Sequence, residues 1–261
     1  MLHASIQSIH FEKKKIVSLV PSITELLYDL GLKEEVVGIT KFCVHPKKWL
    51  QEKTIVGGTK NLRISTIENL RPDLIIASKE ENVEEQVKLL SKNFDVLLTD
   101  VITIKDGFQL LSDIAFIVGK IEAGDDIISK TKSAFAILKQ HAYSKNNIPK
   151  VVYLIWKDPF MSVGADTFIH HMINAAGFEN ILASSTRYPI ITESELKNLA
   201  PDYIFLSTEP YPFKATHQSQ LQEQFPDSKI ILLDGEMFSW YGSRMQKFPN
   251  YIMKNLQLQL P

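Results

Sequence analysis

A twelve-residue pattern that occurs twice is the feature of this 261-residue chain that most constrains its fold. The pattern N-L-x-P-D-x-I-x-x-S-x-E occupies residues 69–80 and recurs at residues 198–209, about half the chain later. In each copy a proline ends a helical segment, because its ring clashes with the preceding turn, and a short apolar run typical of a buried parallel strand follows. Two such units predict an α/β protein with two Rossmann-like lobes and mainly parallel sheets. A chance likeness of two α/β units is the alternative.

The region between the two copies shows no strand pattern from Asp106 to about Tyr143. Its apolar residues recur at helical spacing, and it lacks the Gly/Ser-rich or Pro-rich composition of a flexible linker. Gly119 and Gly124 are positions where this helical region breaks or bends. We therefore expect one long bridging helix. The predicted domains are an N-terminal α/β lobe at 1–105, a bridging helical segment at 106–147 and a C-terminal α/β lobe at 148–261.

Composition and charge exclude several classes of protein. Hydrophobic residues make up 44% of the chain and the net charge is −1, so a nucleic-acid-binding surface is not indicated. Cys43 is the single cysteine, which excludes an intrachain disulfide. No run approaches about 18 apolar residues, so we expect no membrane span. The first residues contain no continuous apolar stretch of signal-peptide length. We therefore expect a cytoplasmic protein; a periplasmic one whose true start lies upstream is the alternative.

Polar and aromatic loops follow the predicted strands, at the sheet edge where ligands of open α/β folds bind. Small-molecule pockets have apolar and aromatic walls with a few polar groups, as these loops do. The ligand-binding candidates in the loops are Phe42, His45, Glu80, Trp156, Phe160, Glu209, Tyr211, Glu236, Trp240 and Arg244. For each aromatic residue, the alternative is that it closes the end of the hydrophobic core.

Two sets of residues have the chemistry of a metal or acid–base site. Cys43 and His45 are both capable of metal ligation, although a structural zinc site usually takes four ligands. Carboxylates at strand ends bind hard cations or transfer protons when they converge. The strand-end carboxylates are Glu80, Glu81, Glu209 and Glu236. The alternative for Glu80 and Glu81 is that they favour the dipole of the following helix.

Three pairs of residues are predicted to cap helices in the manner of a capping box, in which a Ser, Thr or Asn and a Glu three residues later satisfy the first amides of a helix. Ser22 and Glu25 have this spacing after the first predicted strand, and Asn82 and Glu85 have it after the first copy of the repeat. Thr192 and Glu195 have it before the second copy. Each pair is predicted to begin a helix.

Four stretches of the chain together resemble the helical-backbone metal-receptor superfamily. They are I-V-S-L-V-P-S-I-T-E-L at 16–26, V-G-I-T at 37–40, V-G-G-T-K at 56–60 and L-R-P-D-L-I at 70–75. Members of this superfamily are the substrate-binding proteins of ABC importers for cobalamin, haem and iron–siderophore complexes. Segments 78–82, 209–213 and 234–244 are most similar to a bacterial cobalamin-binding subgroup. The resemblance implies two α/β lobes bridged by one long helix, with a ligand cleft between the lobes.

The resemblance also implies ligand contacts at particular positions. An aromatic residue of the family is replaced by His45, whose ring nitrogen suits an iron or cobalt centre. Other family contacts coincide with Phe160, Tyr188 and Glu236. The implied activity is binding of a corrinoid, haem or ferric chelate without catalysis and without a required cofactor. A cytosolic enzyme that uses a carboxylate and histidine metal site in the same cleft is the alternative.

The implied partner is an ABC permease, to which importer-type members present one glutamate from each lobe. Ser65 and Ser194 occupy those docking positions here. Glu68, Glu193 and Glu195 lie close by in the sequence, so a small shift in register restores a glutamate.

Overall fold

A computed structural model describes residues 2–3, 15–141 and 148–256. The chain forms two compact units, and each unit takes its residues from separate parts of the sequence. The first unit comprises Met1–Val101, Lys105–Thr131 and Trp240–Met245. The second unit comprises Ile102–Ile104, Lys132–Ser239 and Gln246–Pro261.

The first unit is built on a six-stranded parallel sheet. Its strands are β1 (Leu2–His3), β2 (Ile16–Ser18), β3 (Val36–Ile39), β4 (Thr54–Ile55), β5 (Leu74–Ser78) and β6 (Val96–Thr99). They lie in the order β1-β6-β5-β2-β3-β4. Strands β2 and β5 are central and buried at every residue, as expected for apolar strands covered on both faces.

Helices follow most strands of the first unit. They are α1 (Pro21–Asp29), α2 (Trp49–Glu52), α3 (Ile64–Leu70), α4 (Glu84–Leu90) and α5 (Ile104–Ile117). Helix α6 (Ile121–His141) follows α5 and begins in the first unit. Alternation of strand and helix lets each apolar strand be covered by the helices that connect it to its parallel neighbours.

The second unit contains a four-stranded parallel sheet in the order β12-β11-β7-β9 and an antiparallel pair, β8 with β10. The strands are β7 (Lys150–Leu154), β8 (Phe160–Met161), β9 (Glu179–Asn180), β10 (Ile190–Ile191), β11 (Tyr203–Ser207) and β12 (Lys229–Leu233). The helices are α7 (Phe168–Ala175), α8 (Glu193–Leu199), α9 (Ala215–Gln224), α10 (Gly235–Ser239) and α11 (Phe248–Asn255). A 3₁₀ helix at Gly242–Gln246 lies between α10 and α11 in the sequence, and its residues up to Met245 belong to the first unit. The predicted α/β class with parallel sheets in two lobes is confirmed.

The repeated pattern adopts the same local structure twice. It forms the end of α3 with β5 in the first unit and the end of α8 with β11 in the second. In each copy the residue before the proline, Arg71 or Ala200, is left-handed, with φ of 49° or 43°. That conformation ends the helix and turns the chain into the strand.

The aspartate of each copy fixes the neighbouring strand. Asp73 accepts a hydrogen bond from the backbone N–H of Lys15 at 2.9 Å, just before β2. Asp202 accepts one from the N–H of Lys150 at 2.7 Å, at the start of β7. The two copies therefore share a hydrogen bond between strands as well as a local shape.

The helical region between the sheets forms two consecutive helices, α5 and α6. Gly119 lies between them with φ of +65°, a conformation that glycine adopts without strain. Gly124 lies inside α6, where an added Cβ atom would collide with the Cβ of Ala115, so its small size allows α5 and α6 to approach closely. Helix α6 contains residues of both units, because the division falls between Thr131 and Lys132.

The predicted capping boxes have different outcomes. The prediction for Asn82 and Glu85 is wrong, because Val83 is the N-cap of α4 and no side chain caps that helix. The Thr192 side chain accepts from the N–H of Glu195, and the Glu195 carboxylate accepts from the N–H of Thr192, so this box is confirmed. The prediction for Ser22 and Glu25 is wrong: α1 begins at Pro21, so both residues lie inside the helix. In the described parts of the chain, no helix is long and apolar enough to cross a membrane.

Candidate functional site

The loop after β3 carries the first group of predicted site residues. Cys43 is fully buried, and its sulfur lies 3.1 Å from the Thr24 hydroxyl and 3.2 Å from that of Thr40. Burial raises the pKa of the Cys43 thiol above its ordinary value. The Cys43 side chain is therefore a neutral group of the core.

His45 and Phe42, in the same loop, are more accessible. Phe42 is 50% exposed, and the Lys41 ammonium lies 5.0 Å from the centroid of its ring. His45 is half-buried, with its ring at 5.5 Å from the ring of Trp240 and nearly perpendicular to it. The loop thus presents an aromatic ring and an imidazole at the carboxyl edge of the first sheet.

Trp240 and Arg244 belong to the first unit although they lie near the end of the chain. The Arg244 guanidinium lies 4.7 Å from the Trp240 ring centroid and forms a buried ion pair with Glu25. The structure therefore brings three of the candidate residues, His45, Trp240 and Arg244, together in one group.

The loop after β5 places Glu80 and Glu81 beside a lysine. The Ser78 hydroxyl accepts the N–H of Glu80 at 3.1 Å, and the Lys60 ammonium donates to the Glu80 carbonyl at 2.7 Å. Removal from water raises the pKa of the partly buried Glu81, the Lys60 ammonium opposes that rise and the Glu80 carboxylate adds to it. Lys60 was not among the predicted site residues. Its position shortly after Gly57-Gly58 was the feature of the sequence that could have identified it.

In the second unit, an aromatic cluster follows β7 and β11. The Trp156 ring lies 5.5 Å from that of Tyr211, and Tyr211 lies 4.8 Å from Phe213 and 5.6 Å from His217. Trp156 is 40% exposed, whereas Phe213 is buried. Two predicted residues, Trp156 and Tyr211, thus belong to a cluster whose other members, the buried Phe213 and the half-buried His217, were not predicted. Aromatic density in these two loops was the sequence signal.

Two predicted glutamates of the second unit take part in local hydrogen bonds, Glu209 through its carboxylate and Glu236 through its backbone N–H. The Ser239 hydroxyl donates to the Glu209 carboxylate at 2.5 Å, and the Ser207 hydroxyl donates to the Glu209 carbonyl at 2.5 Å. Glu236 is partly buried in α10, and its N–H donates to the Asp234 carboxylate at 3.1 Å. Glu209 is thereby fixed in its loop.

Phe160 and Tyr188 contact other parts of the second unit. Phe160 belongs to β8 and lines a cavity of about 580 Å³ that is also bordered by β10, the start of α8 and one side of α9. The Tyr188 ring receives the guanidinium of Arg187 at 5.3 Å. Within the described parts of the chain, no three His, Cys, Asp or Glu side chains are placed so that they could hold a metal ion.

Comparison with known proteins identifies the class. The family model described as "Periplasmic binding protein" matches residues 16–229, most of the chain. The chain therefore belongs to the periplasmic binding protein family.

Two relatives give the range of similarity in sequence. The ABC transporter substrate-binding lipoprotein YvrC of Bacillus subtilis (strain 168) is 30% identical over 217 residues, which cover 79% of this chain and 67% of YvrC. A cobalamin-binding protein of Halobacterium salinarum (strain R1) is 24% identical over 198 residues, which cover 74% of this chain. The chain spans about half of that second relative, with 53% of its length matched.

A solved structure shows the same fold. The periplasmic heme-binding protein RhuT from Roseiflexus sp. RS-1 superimposes with a TM-score of 0.79, at 21% sequence identity. The match covers 94% of this chain and 99% of the RhuT chain.

The expectation of a cytoplasmic location is wrong. The relatives and structural neighbours are a lipoprotein and periplasmic proteins, which act outside the cytoplasm. The expectation relied on the composition of the first residues, but a folded binding domain has the same packing whether or not an export signal is attached to it. The predicted ABC permease is in keeping with a family whose relatives include an ABC transporter substrate-binding lipoprotein.

Proposed function

We propose that this protein binds a metal-centred macrocycle or an iron chelate, that is a corrinoid, a haem or a ferric chelate, and delivers it to an ABC permease without chemical change. The observation that carries the proposal is the half-buried His45 imidazole, which meets the ring of Trp240 and shares its loop with the exposed Phe42, at the carboxyl edge of the first sheet. The names of a cobalamin-binding relative and a heme-binding structural neighbour support this ligand class.

His45 has the chemistry to contact the metal of such a ligand. A neutral imidazole donates a lone pair to iron or cobalt. A metal that arrives inside a macrocycle already has most of its ligands and needs one or two from the protein. A single histidine is therefore sufficient, and the described residues need not supply a three-ligand metal cluster.

An exposed aromatic ring in the same unit as His45 suits the organic part of such a ligand. Phe42 is half exposed and follows the carboxyl end of β3. A flat conjugated ligand gains contact area and stacking energy from a ring of this kind.

Docking to the permease, in this proposal, uses Glu193 in the second unit in place of the serine at residue 194. Glu193 is exposed and its carboxylate lies 2.6 Å from the Lys197 ammonium, an exposed pair that separates at little cost. The Glu195 carboxylate is occupied in the capping box of α8, where it accepts from the N–H and the hydroxyl of Thr192. Glu195 is thus the less available of the two.

Native mass spectrometry and visible absorption spectra test the ligand class. Purified protein is titrated with hydroxocobalamin, hemin and ferric citrate. We expect a 1:1 adduct with one of them, and His45→Ala should weaken it by about tenfold or more, as removal of a metal ligand or its support typically does. His171→Ala, in α7, is the matched control and should bind as the parent protein does.

Three results would contradict the proposal. They are the absence of any adduct, equal weakening by His171→Ala, and recovery of a chemically altered ligand. The last result would favour the alternative of an enzyme.

A further inference from the structure

A segment from the end of the chain completes the first unit. Residues Trp240–Met245, here called the returning segment, are part of the first unit, and Gly242 lies against Leu26 of α1. Gly242 has φ of +86°, and a Cβ atom at this position would be 3.4 Å from the Leu26 Cβ. The backbone of the returning segment therefore approaches α1 at a point where glycine is favoured.

An ion pair joins the returning segment to α1. The Nε of Arg244 donates to one oxygen of Glu25 at 2.7 Å, and a terminal nitrogen donates to the other oxygen at 3.1 Å. The two side chains are 4% and 6% exposed. A paired, two-point contact of this kind fixes the plane of the guanidinium, and removal of one partner would leave a buried charge.

The fixed guanidinium supports the indole ring next to it. Arg244 lies over the face of Trp240 at 4.7 Å, and the ring of Trp240 meets that of His45 at 5.5 Å and an angle of 75°. Trp240 itself is only 7% exposed, whereas His45 is half-buried. Exposure therefore rises from the buried pair of Glu25 and Arg244, through Trp240, to His45.

We propose that Glu25 and Arg244 are positioning residues of the ligand site, which fix the His45 imidazole through the indole of Trp240. The inference rests on the proposed function for the role of His45. It assigns Arg244 to the support of the site rather than to direct contact with the ligand. It also explains why the loop after β3 requires residues almost two hundred positions later.

The first test measures the position of His45 in the protein without ligand. The ring current of Trp240 shifts the NMR resonances of the His45 ring protons. Their absence from the spectrum of His45→Gln assigns these resonances. Their positions in Trp240→Leu give the reference without the ring current. In Arg244→Lys the charge opposite Glu25 is kept, but the planar fork and the stacking surface are lost. We expect the His45 resonances to move toward their Trp240→Leu positions.

The matched control for this test is Lys130→Met. It removes an exposed ion pair with Asp126, at 2.6 Å in helix α6, and should leave the His45 resonances unchanged. Unchanged resonances in folded Arg244→Lys would overturn the inference. If that variant does not fold, Glu25→Gln decides by the same criterion. Failure of both variants to fold would assign the pair a stabilising role alone and would likewise overturn the inference.

The second test measures binding of hydroxocobalamin, hemin and ferric citrate to the same variants. Displacement of a ligand-contacting group by a fraction of an ångström is costly, and we expect about tenfold weaker binding in Arg244→Lys. Equal affinity in Arg244→Lys and the parent would contradict the positioning role. If the parent protein binds none of these compounds, the proposed function fails, while the resonances of His45 still decide the inference.

Discussion

The protonation of Glu81 makes the stability of the protein depend on pH. Its carboxyl group is partly withdrawn from water near Lys60 and Glu80, and the loss of water raises its pKa above the ordinary value of 4.5. Between the ordinary pKa of the unfolded state and the raised pKa of the folded state, Glu81 is protonated in the folded protein and ionised in the unfolded one. Stability accordingly falls as the pH rises through that interval.

We predict that Glu81→Gln raises the thermal unfolding midpoint at pH 7, because the neutral amide avoids the cost of a partly buried charge. At pH 4, below the ordinary pKa, the parent carries a protonated Glu81 and the difference between the proteins should disappear. Thermal unfolding followed by circular dichroism at both pH values measures this. Glu34→Gln, an exposed substitution, is the control. An equal gain at both pH values would contradict the explanation.

Several single residues were assigned to the site from the sequence, and their contacts show why such assignments vary in quality. Phe42, His45 and Trp156 are accessible, because they lie in loops that follow strands at the edge of a sheet. Cys43 occupies the same loop, but its side chain is buried and lies next to two threonine hydroxyls. The direction of a side chain within a loop depends on packing that a list of residues does not contain.

At the scale of elements, the same helix-to-strand structure occurs in both copies of the repeat. Each copy ends its helix with a left-handed residue and uses its aspartate to bind the backbone that precedes or begins a neighbouring strand. The serine of each copy accepts the N–H of the glutamate two residues later, at 3.1 Å and 3.3 Å. These roles are structural, so the repeat reflects the fold of each unit more directly than it reflects a ligand.

We predict that Asp73→Ala and Asp202→Ala destabilise the protein by similar amounts, about 1–3 kcal/mol each, because each removes a hydrogen bond from a charged acceptor to a backbone N–H. Urea unfolding at neutral pH measures both changes. Asp227→Ala, in an exposed turn, should change the free energy of unfolding by less than about 0.5 kcal/mol. A large loss in one copy and none in the other would contradict an equivalent role.

The capping boxes show how one local pattern has two outcomes. Thr192 and Glu195 are exposed, and they bond each other at the start of α8. Ser22 and Glu25 have the same spacing, but Pro21 begins α1 one residue before Ser22, and Glu25 pairs with Arg244. A buried partner distant in sequence replaced the local one, because a buried carboxylate needs a full countercharge.

At the scale of the whole molecule, the two compact units are interleaved in the sequence. The first unit contains the first six strands and also the returning segment, which comes after all strands of the second unit in the sequence. A change in the returning segment should therefore affect α1, which lies more than two hundred positions earlier.

We predict that Gly242→Val speeds hydrogen exchange in α1 without a similar change in β7 or α7. Valine at this position adds strain at φ of +86° and meets Leu26. Gly119→Val is the matched control, because its φ is +65° but nothing lies within 4 Å of the added Cβ. The cost beyond this control should be about 1–3 kcal/mol. Equal exchange in α1 for both variants would contradict the proposed contact.

The amino-acid sequence was sufficient to predict the α/β class, the parallel sheets of the two lobes and the loops at strand ends that hold the candidate ligand-binding residues. It could do so because apolar strand runs, helix-ending prolines and turn residues act over a few neighbouring positions. Three contacts became known only from the three-dimensional structure: Arg244 pairs with Glu25, Trp240 packs against His45, and Cys43 faces inward. Those contacts join residues by packing and by the need to compensate buried charge, and neither depends on their separation along the chain.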